Sequence, residues 1–195
     1  MYSQHNEEEY IIRHVDGVIG NFLDIGAYDG KSFSNTLRLA ELGWGGICIE
    51  PSPSVFPSLL ERFKDNPKIK TVNCAISDVT GKLKFYDSGG DAISTFSESH
   101  KAKWEKANVK FTEVEVDTIT VKDMFNRYGY DFEFINLDVE DLNWNVFCQF
   151  PLDSLTKMRL ICIEHDLHQF GIRSKLAGYG FKEIFQNDEN IILGR

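Results

Sequence analysis

Long apolar runs are missing from this sequence of 195 residues. None approaches the roughly 20 residues that a membrane-crossing helix needs. Basic charge is scarce too: 21 Lys and Arg face 30 Asp and Glu, a formal net charge of −9. Such a surface repels polyphosphate and anionic lipid, so nucleic acid is not expected as a partner. The four cysteines, Cys48, Cys74, Cys148 and Cys162, form no C-x-x-C pair, which excludes a zinc knuckle. Three of them sit in apolar, strand-like runs, as reduced buried thiols would. Neither G-x-G-x-x-G nor the full phosphate-loop pattern G-x-x-x-x-G-K-[ST] occurs, since Gly30-Lys31-Ser32 has Ile25 where that pattern needs its first glycine, so the two glycine-rich devices that cradle phosphate at a helix N-terminus are absent. The first nine residues end in Glu7-Glu8-Glu9, where a signal peptide would be basic and then apolar. A cytoplasmic location is therefore expected.

What is present is a core-forming alternation. Hydrophobic residues make up 42% of the chain, enough for one α/β domain over residues 1–195, with 1–20 as a helical extension whose acidic start at 7–9 is solvated. Strand-like runs at 22–25, 47–50, 70–75, 132–138 and 159–164 alternate with helical patterns at 31–42, 54–63, 141–150 and 167–177. That order predicts a mostly parallel sheet with helices on both faces. Phe33, Leu37 and Ala40 fall on one helical face, and Ser54 is placed to cap the helix that tolerates Pro57 in its first turn. Residues 82–86 and 109–118 alternate like a half-exposed hairpin, 86–111 reads as a cover over the substrate, and 181–185 with 191–193 closes the chain as an antiparallel pair.

Four of these strands end in an acid: Asp24, Glu50, Asp138 and Glu164. Ligands of open parallel sheets bind at the carboxyl ends of strands. Asp24, just before the turn Gly26-Ala27-Tyr28-Asp29-Gly30, would repel phosphate and suits an ammonium group. Glu50 can accept hydrogen bonds from two ribose hydroxyls. An aminoacyl-nucleoside without phosphate meets both conditions, and S-adenosylmethionine (SAM) is one.

Matching segments then run in order: Phe22-Leu23-Asp24-Ile25-Gly26-Ala27, Ile49-Glu50-Pro51-Ser52-Pro53, Asn73-Cys74-Ala75-Ile76-Ser77-Asp78, Gly81-Lys82-Leu83, Asp138-Val139-Glu140, Leu142-Asn143-Trp144 and Ile163-Glu164-His165. In these the chain resembles the FkbM family of class I SAM-dependent O-methyltransferases. The resemblance implies a single-domain Rossmann-like fold with a mostly parallel seven-stranded sheet and a C-terminal antiparallel hairpin. It also implies cofactor roles. Asp24, Gly26, Ala27, Tyr28 and Gly30 would pass under the methionine portion, and Glu50 and Pro51 would meet the ribose. Ala75 and Ile76 would border adenine with Ser77 or Asp78 at its edge, and Asp138 would lie near the transferred methyl. Three positions depart from the family pattern: Asn136 stands where a lysine is common, Asp141 replaces a glycine and Asn143 an acid.

For the chemistry, Asp138, Glu140, Glu164 and His165 are the candidate acids and bases. Asp138, Glu164 and His165 could also hold Mg²⁺ or another hard divalent cation. Tyr28, Phe96, Trp104 and Trp144 are candidates to stack on a sugar, with Trp144 equally at home in a core. The expected activity is methyl transfer to a hydroxyl of a small-molecule or saccharide acceptor. An NAD-dependent oxidoreductase, or a catalytically silent binding protein on the same fold, are the rival readings.

Overall fold

The computed structural model describes residues 1–195. Helix α1 (Glu7–His14) precedes strand β1 (Asn21–Ile25), α2 (Leu37–Glu41), β2 (Gly45–Ile49), α3 (Phe56–Phe63) and β3 (Ile69–Val72). Next come β4 (Ala75–Ser77), β5 (Gly81–Asp87), α4 (Glu98–Glu105), β6 (Thr112–Thr120), α5 (Val121–Tyr128) and β7 (Phe134–Leu137). The chain closes with α6 (Asn143–Cys148), β8 (Leu160–Glu164), α7 (Gln169–Ala177), β9 (Lys182–Gln186) and β10 (Asn190–Gly194). Seven strands form one sheet in the order β3-β2-β1-β7-β8-β10-β9. All neighbours are parallel except β10, which runs antiparallel to β8 and β9. Strand order reverses between β1 and β7, the place where an α/β sheet opens a crevice for ligand.

The pleat sorts the core. Leu23, Ile25, Ile135, Leu137, Ile161 and Ile163 face α5, α6 and α7 with Phe125, Phe147 and Leu176. Phe22, Phe134, Leu160 and Cys162 face the opposite side, against Ile11 of α1, Leu39 of α2 and Leu59 of α3. Asp24 and Asn136 alternate into this second layer, so two polar side chains are built into an otherwise apolar surface.

Several elements differ from the sequence expectation. Helix α2 starts at Leu37, not 31. Asp29 Oδ1 accepts from the Lys31 and Ser32 amides at 2.7 Å each, and Ser34 Oγ from the Thr36 and Leu37 amides, which hold 31–36 as a loop. Phe33 consequently lies outside the core, 54% exposed at φ 59°. Ser54 does not cap α3; its hydroxyl donates to Asp87, and Ser52 Oγ accepts from the Val55 amide instead. The run at 70–75 splits because Asn73 turns to donate to the Glu50 and Pro51 carbonyls. Ala75–Ser77 then pairs parallel to β6 in a separate three-stranded sheet completed by the β5–β6 hairpin.

Helix α5 was not expected: Thr120 caps it by accepting from the Asp123 amide, a signal visible in the sequence. The acidic start of α1 is not solvated. Glu7 is fully buried, accepting from the side chains of Asn187 (2.7 Å) and Asn190 (3.1 Å), so it ties the N-terminal helix to the β9–β10 turn. Cys48, Cys74 and Cys162 are buried and free, and Cys148 is exposed.

Candidate active site

A cleft enclosing about 1010 Å³, its open mouth included, lies at the carboxyl ends of β1, β2 and β7. Its lining includes Asp24, Gly26, Ala27, Tyr28, Glu50, Pro51, Ala75, Ile76, Asp138 and Glu140, which the sequence assigns from four distant segments. Gly30, Ser77, Glu164 and His165 do not line it. Gly30 serves packing: a Cβ there would meet Leu59 and Phe63 of α3 at 2.8 and 2.9 Å. Ser77 donates to Asp78.

The first turn is pinned from below. The Gly26 and Ala27 amides both donate to the Ile49 carbonyl, and Gly26 holds φ 86°. A Cβ on Gly26 would overlap the Asp138 carbonyl oxygen, so only glycine lets β1 and β7 approach this closely. Glu50 is fixed by two amides, from Tyr28 (2.9 Å) and Ser52 (2.8 Å). Burial nevertheless pushes its carboxyl up to about 7. Asp24, 2% exposed, accepts from Thr36 Oγ1 (2.5 Å) and Asn136 Nδ2 (2.9 Å), both neutral donors, and burial raises its pKa. Every ionisable side chain of the lining other than Tyr28 and Cys74 is an acid: Asp24, Glu50, Asp91, Asp138 and Glu140, with no Lys, Arg or His among them.

At the β7 end a second acidic group forms. Burial, then the charge of Glu140, pushes Asp138 up to about 8, while a hydrogen bond shared with Glu164 works in the opposite direction. Glu164 is raised further, by burial and by Asp138. The two carboxyls titrate together, with Glu164 holding its proton to higher pH than Asp138. Two of the three departures from the family pattern lie beside this group, and one of them, Asn143, bonds to it. Asn143 donates to Glu164 (2.6 Å) and Asp166 (3.0 Å) while accepting from the Val139 amide, a place where an acid would add a third like charge. Asp141, at φ 77°, accepts from Ser97 and Ser99.

His165 is buried, with both ring nitrogens engaged: Nδ1 accepts from the Leu167 amide and Nε2 faces the Asn187 carbonyl at 3.2 Å. This leaves no lone pair for a metal. No group of three or more His, Cys, Asp or Glu, Asp138, Glu164 and His165 included, is arranged to hold one.

Part of the segment 86–111 borders the cleft, and contacts on both sides fasten it. Tyr28 donates to the Gly90 carbonyl (2.5 Å), and Ser52 and Ser54 donate to Asp87. On the far side Thr95 donates to the Glu140 carbonyl, and His100 Nε2 lies 3.3 Å from Glu140. Asp91, Ala92, Ser94 and Phe96 from this segment line the cleft. Trp104 does not, and Trp144 stacks on His168 between α6 and α7 with ring centroids 5.2 Å apart. Sequence reasoning missed Asn35, Ser52 and Gln4 as lining residues. Nothing in local periodicity marks a glutamine before α1 as facing a cleft built 20 residues later.

A family model described as the methyltransferase FkbM domain matches residues 24–186. The chain belongs to the FkbM methyltransferase family. No curated protein matches it in sequence. Among solved structures, the FkbM chain is similar in fold to a human methyltransferase 10 domain containing protein, with 13% identity over 96% of this chain and 79% of that one and a TM-score of 0.54. A ribosomal protein L11 methylase from Lactobacillus delbrueckii subsp. bulgaricus gives 12% identity, 96% and 74% coverage, and a TM-score of 0.50. The FkbM protein thus has the class I, Rossmann-like methyltransferase fold, and SAM-dependent methyl transfer is the activity of its class. No helix is long and apolar enough to cross a membrane.

The buried acids set a pH dependence for the free protein. Carboxyls raised in the fold bind protons that the unfolded chain has already lost above about pH 4. Stability is full below the unfolded value and is lost as pH rises through the folded one. For Glu50 (about 7) and Asp138 (about 8), the loss falls between roughly pH 5 and 9. The melting temperature should drop by about 5 °C or more across that range, measured by calorimetry without ligand. A flat or rising profile would show that these groups are not held protonated.

Proposed function

We propose that this protein is a SAM-dependent O-methyltransferase acting on a hydroxyl of a sugar-containing or similar small acceptor. The observation that carries the reading is the Asp138–Glu164 pair, a carboxylate of raised basicity at the cleft wall directly beside the first turn.

The residues lining the cleft fit SAM. Asp24 is a buried carboxylate with only neutral partners, suited to an ammonium. Gly26 lets the first turn pass directly against the Asp138 carbonyl, which brings the β1 and β7 ends together at the cleft. Glu50 would accept from the two ribose hydroxyls, its lone pairs only partly used by the Tyr28 and Ser52 amides. Tyr28 and Pro51 border the same region, and Ala75 and Ile76 offer an apolar wall for adenine. When bound, SAM supplies a sulfonium methyl open to in-line displacement.

The chain's own work is to position the acceptor and remove its proton. With SAM held by Asp24 and Glu50, Asp138 would take the proton of the acceptor hydroxyl that receives the methyl group. Glu164 keeps its proton and holds the Asp138 carboxylate in place. A base with a pKa near the working pH is the efficient choice, and one such group contributes about 10²–10⁴-fold. Phe96 and Tyr28 present rings to the cleft, flat apolar surfaces on which a sugar face can rest.

Incubation of the protein with SAM and a library of free and glycoside-linked sugars tests this. The expected product is 14 mass units heavier, with the added methyl on oxygen by fragmentation. Methyl groups found only on nitrogen or carbon would overturn the O-methyl reading.

A further inference from the structure

The Asp24 side chain starts a chain of amides whose polarity is fixed throughout. A carboxylate only accepts, so the Asn136 group that meets Asp24 Oδ1 at 2.9 Å must be its amino group. Asn136 Oδ1 then faces away and accepts from Asn35 Nδ2 at 3.0 Å. Asn35 in turn must present its Oδ1 elsewhere, and that atom has no hydrogen-bond partner although Asn35 is only 7% exposed. Asn35 and Asp24 both line the cleft. A buried, unpaired carbonyl oxygen costs about 1–3 kcal/mol, and Oδ1 is shielded from water. A group seated in the cleft, met by a small tilt of the carboxamide, is what can satisfy it. Near it stands Asp24, whose partners are neutral, and no cationic side chain lines the cleft. Two acceptors with no cationic side chain in the lining suit a cationic donor.

We infer that Asn35 Oδ1, aimed by the Asp24–Asn136–Asn35 relay, is the second acceptor for the α-ammonium of the SAM amino-acid portion. The inference rests on the cofactor reading above. It depends on Asn136: a lysine there would end the relay at Asp24, so the device belongs to this chain's departure from the family pattern.

Calorimetric titration with S-adenosylhomocysteine, its analogue lacking the α-amino group, and 5′-methylthioadenosine, which lacks the amino-acid portion, provides the test. On the unaltered protein the deaminated analogue should bind at least about tenfold more weakly than S-adenosylhomocysteine. Asn35→Ala should weaken S-adenosylhomocysteine about tenfold and leave methylthioadenosine within about twofold. Equal losses for S-adenosylhomocysteine and methylthioadenosine would assign Asn35 a structural role and overturn the inference. Equal binding of S-adenosylhomocysteine and its deaminated analogue by the unaltered protein would do so without any variant. If the unaltered protein binds none of the three, the cofactor reading itself fails.

Discussion

Gly26→Ala is expected to cost about 3 kcal/mol or more of folding stability and to abolish cofactor binding in whatever folded protein remains. Two effects add. The residue holds φ 86°, where an L side chain is strained. Its Cβ would also occupy the space of the Asp138 carbonyl oxygen, a backbone atom with no flexible end to yield. The Asp138 amide donates to the Ile25 carbonyl at 2.9 Å, so β7 cannot retreat without losing a ladder bond. The strands must separate at the point where the cleft opens. Urea unfolding of the variant measures the loss. Near-unchanged stability would mean that the close approach of β1 and β7 is not a requirement of the fold.

Asp138→Asn should behave in the opposite way, folding well and turning over poorly. The amide keeps the shape of the side chain and can pair with Glu164, so affinity for S-adenosylhomocysteine should change less than about tenfold, while turnover falls about 10²–10⁴-fold. The pH profile makes the assignment sharper. Asp138 must be ionised to take a proton, and it stands at about 8. In the unaltered enzyme kcat/KM should therefore fall with decreasing pH below about 8, and the residual activity of the variant should lack that limb. Normal turnover by Asp138→Asn would remove it from the chemistry. Glu140, whose carboxyl is also raised by burial and by Glu164, would then be the group to test.

The strand-end acids were legible in the sequence because each lies where an apolar run meets a turn, and that junction is a local pattern. Asp24, Glu50, Asp138 and Glu164 needed only the period of the strands to be placed at one edge of the sheet. Their different roles were not legible. That Asp138 faces the cleft while Glu164 stands behind it depends on the β7–β8 pairing and on Asn143, which reaches across from α6 to Glu164. His165 looked like a base from its type and neighbours, yet a carbonyl in the β9–β10 turn, 22 residues away, engages its ring. The loop at 31–36 was mistaken for helix because Phe33, Leu37 and Ala40 keep helical spacing. The side-chain bonds from Asp29 and Ser34 outweigh that periodicity. Ser52 and Ser54 meet Asp87 only because the separate three-stranded sheet brings β5 beside the β2–α3 turn, a contact that no local motif encodes.

Calorimetry of S-adenosylhomocysteine against the unaltered protein and Glu50→Ala weighs the whole account most directly. Removing a carboxylate that receives two ribose hydroxyls should weaken binding by more than about tenfold, since a charge-assisted hydrogen bond contributes roughly 1.5–3 kcal/mol. A folded Glu50→Ala protein with undiminished affinity would contradict it, because the adenosyl group would then have to bind somewhere other than the cleft at the carboxyl ends of β1, β2 and β7.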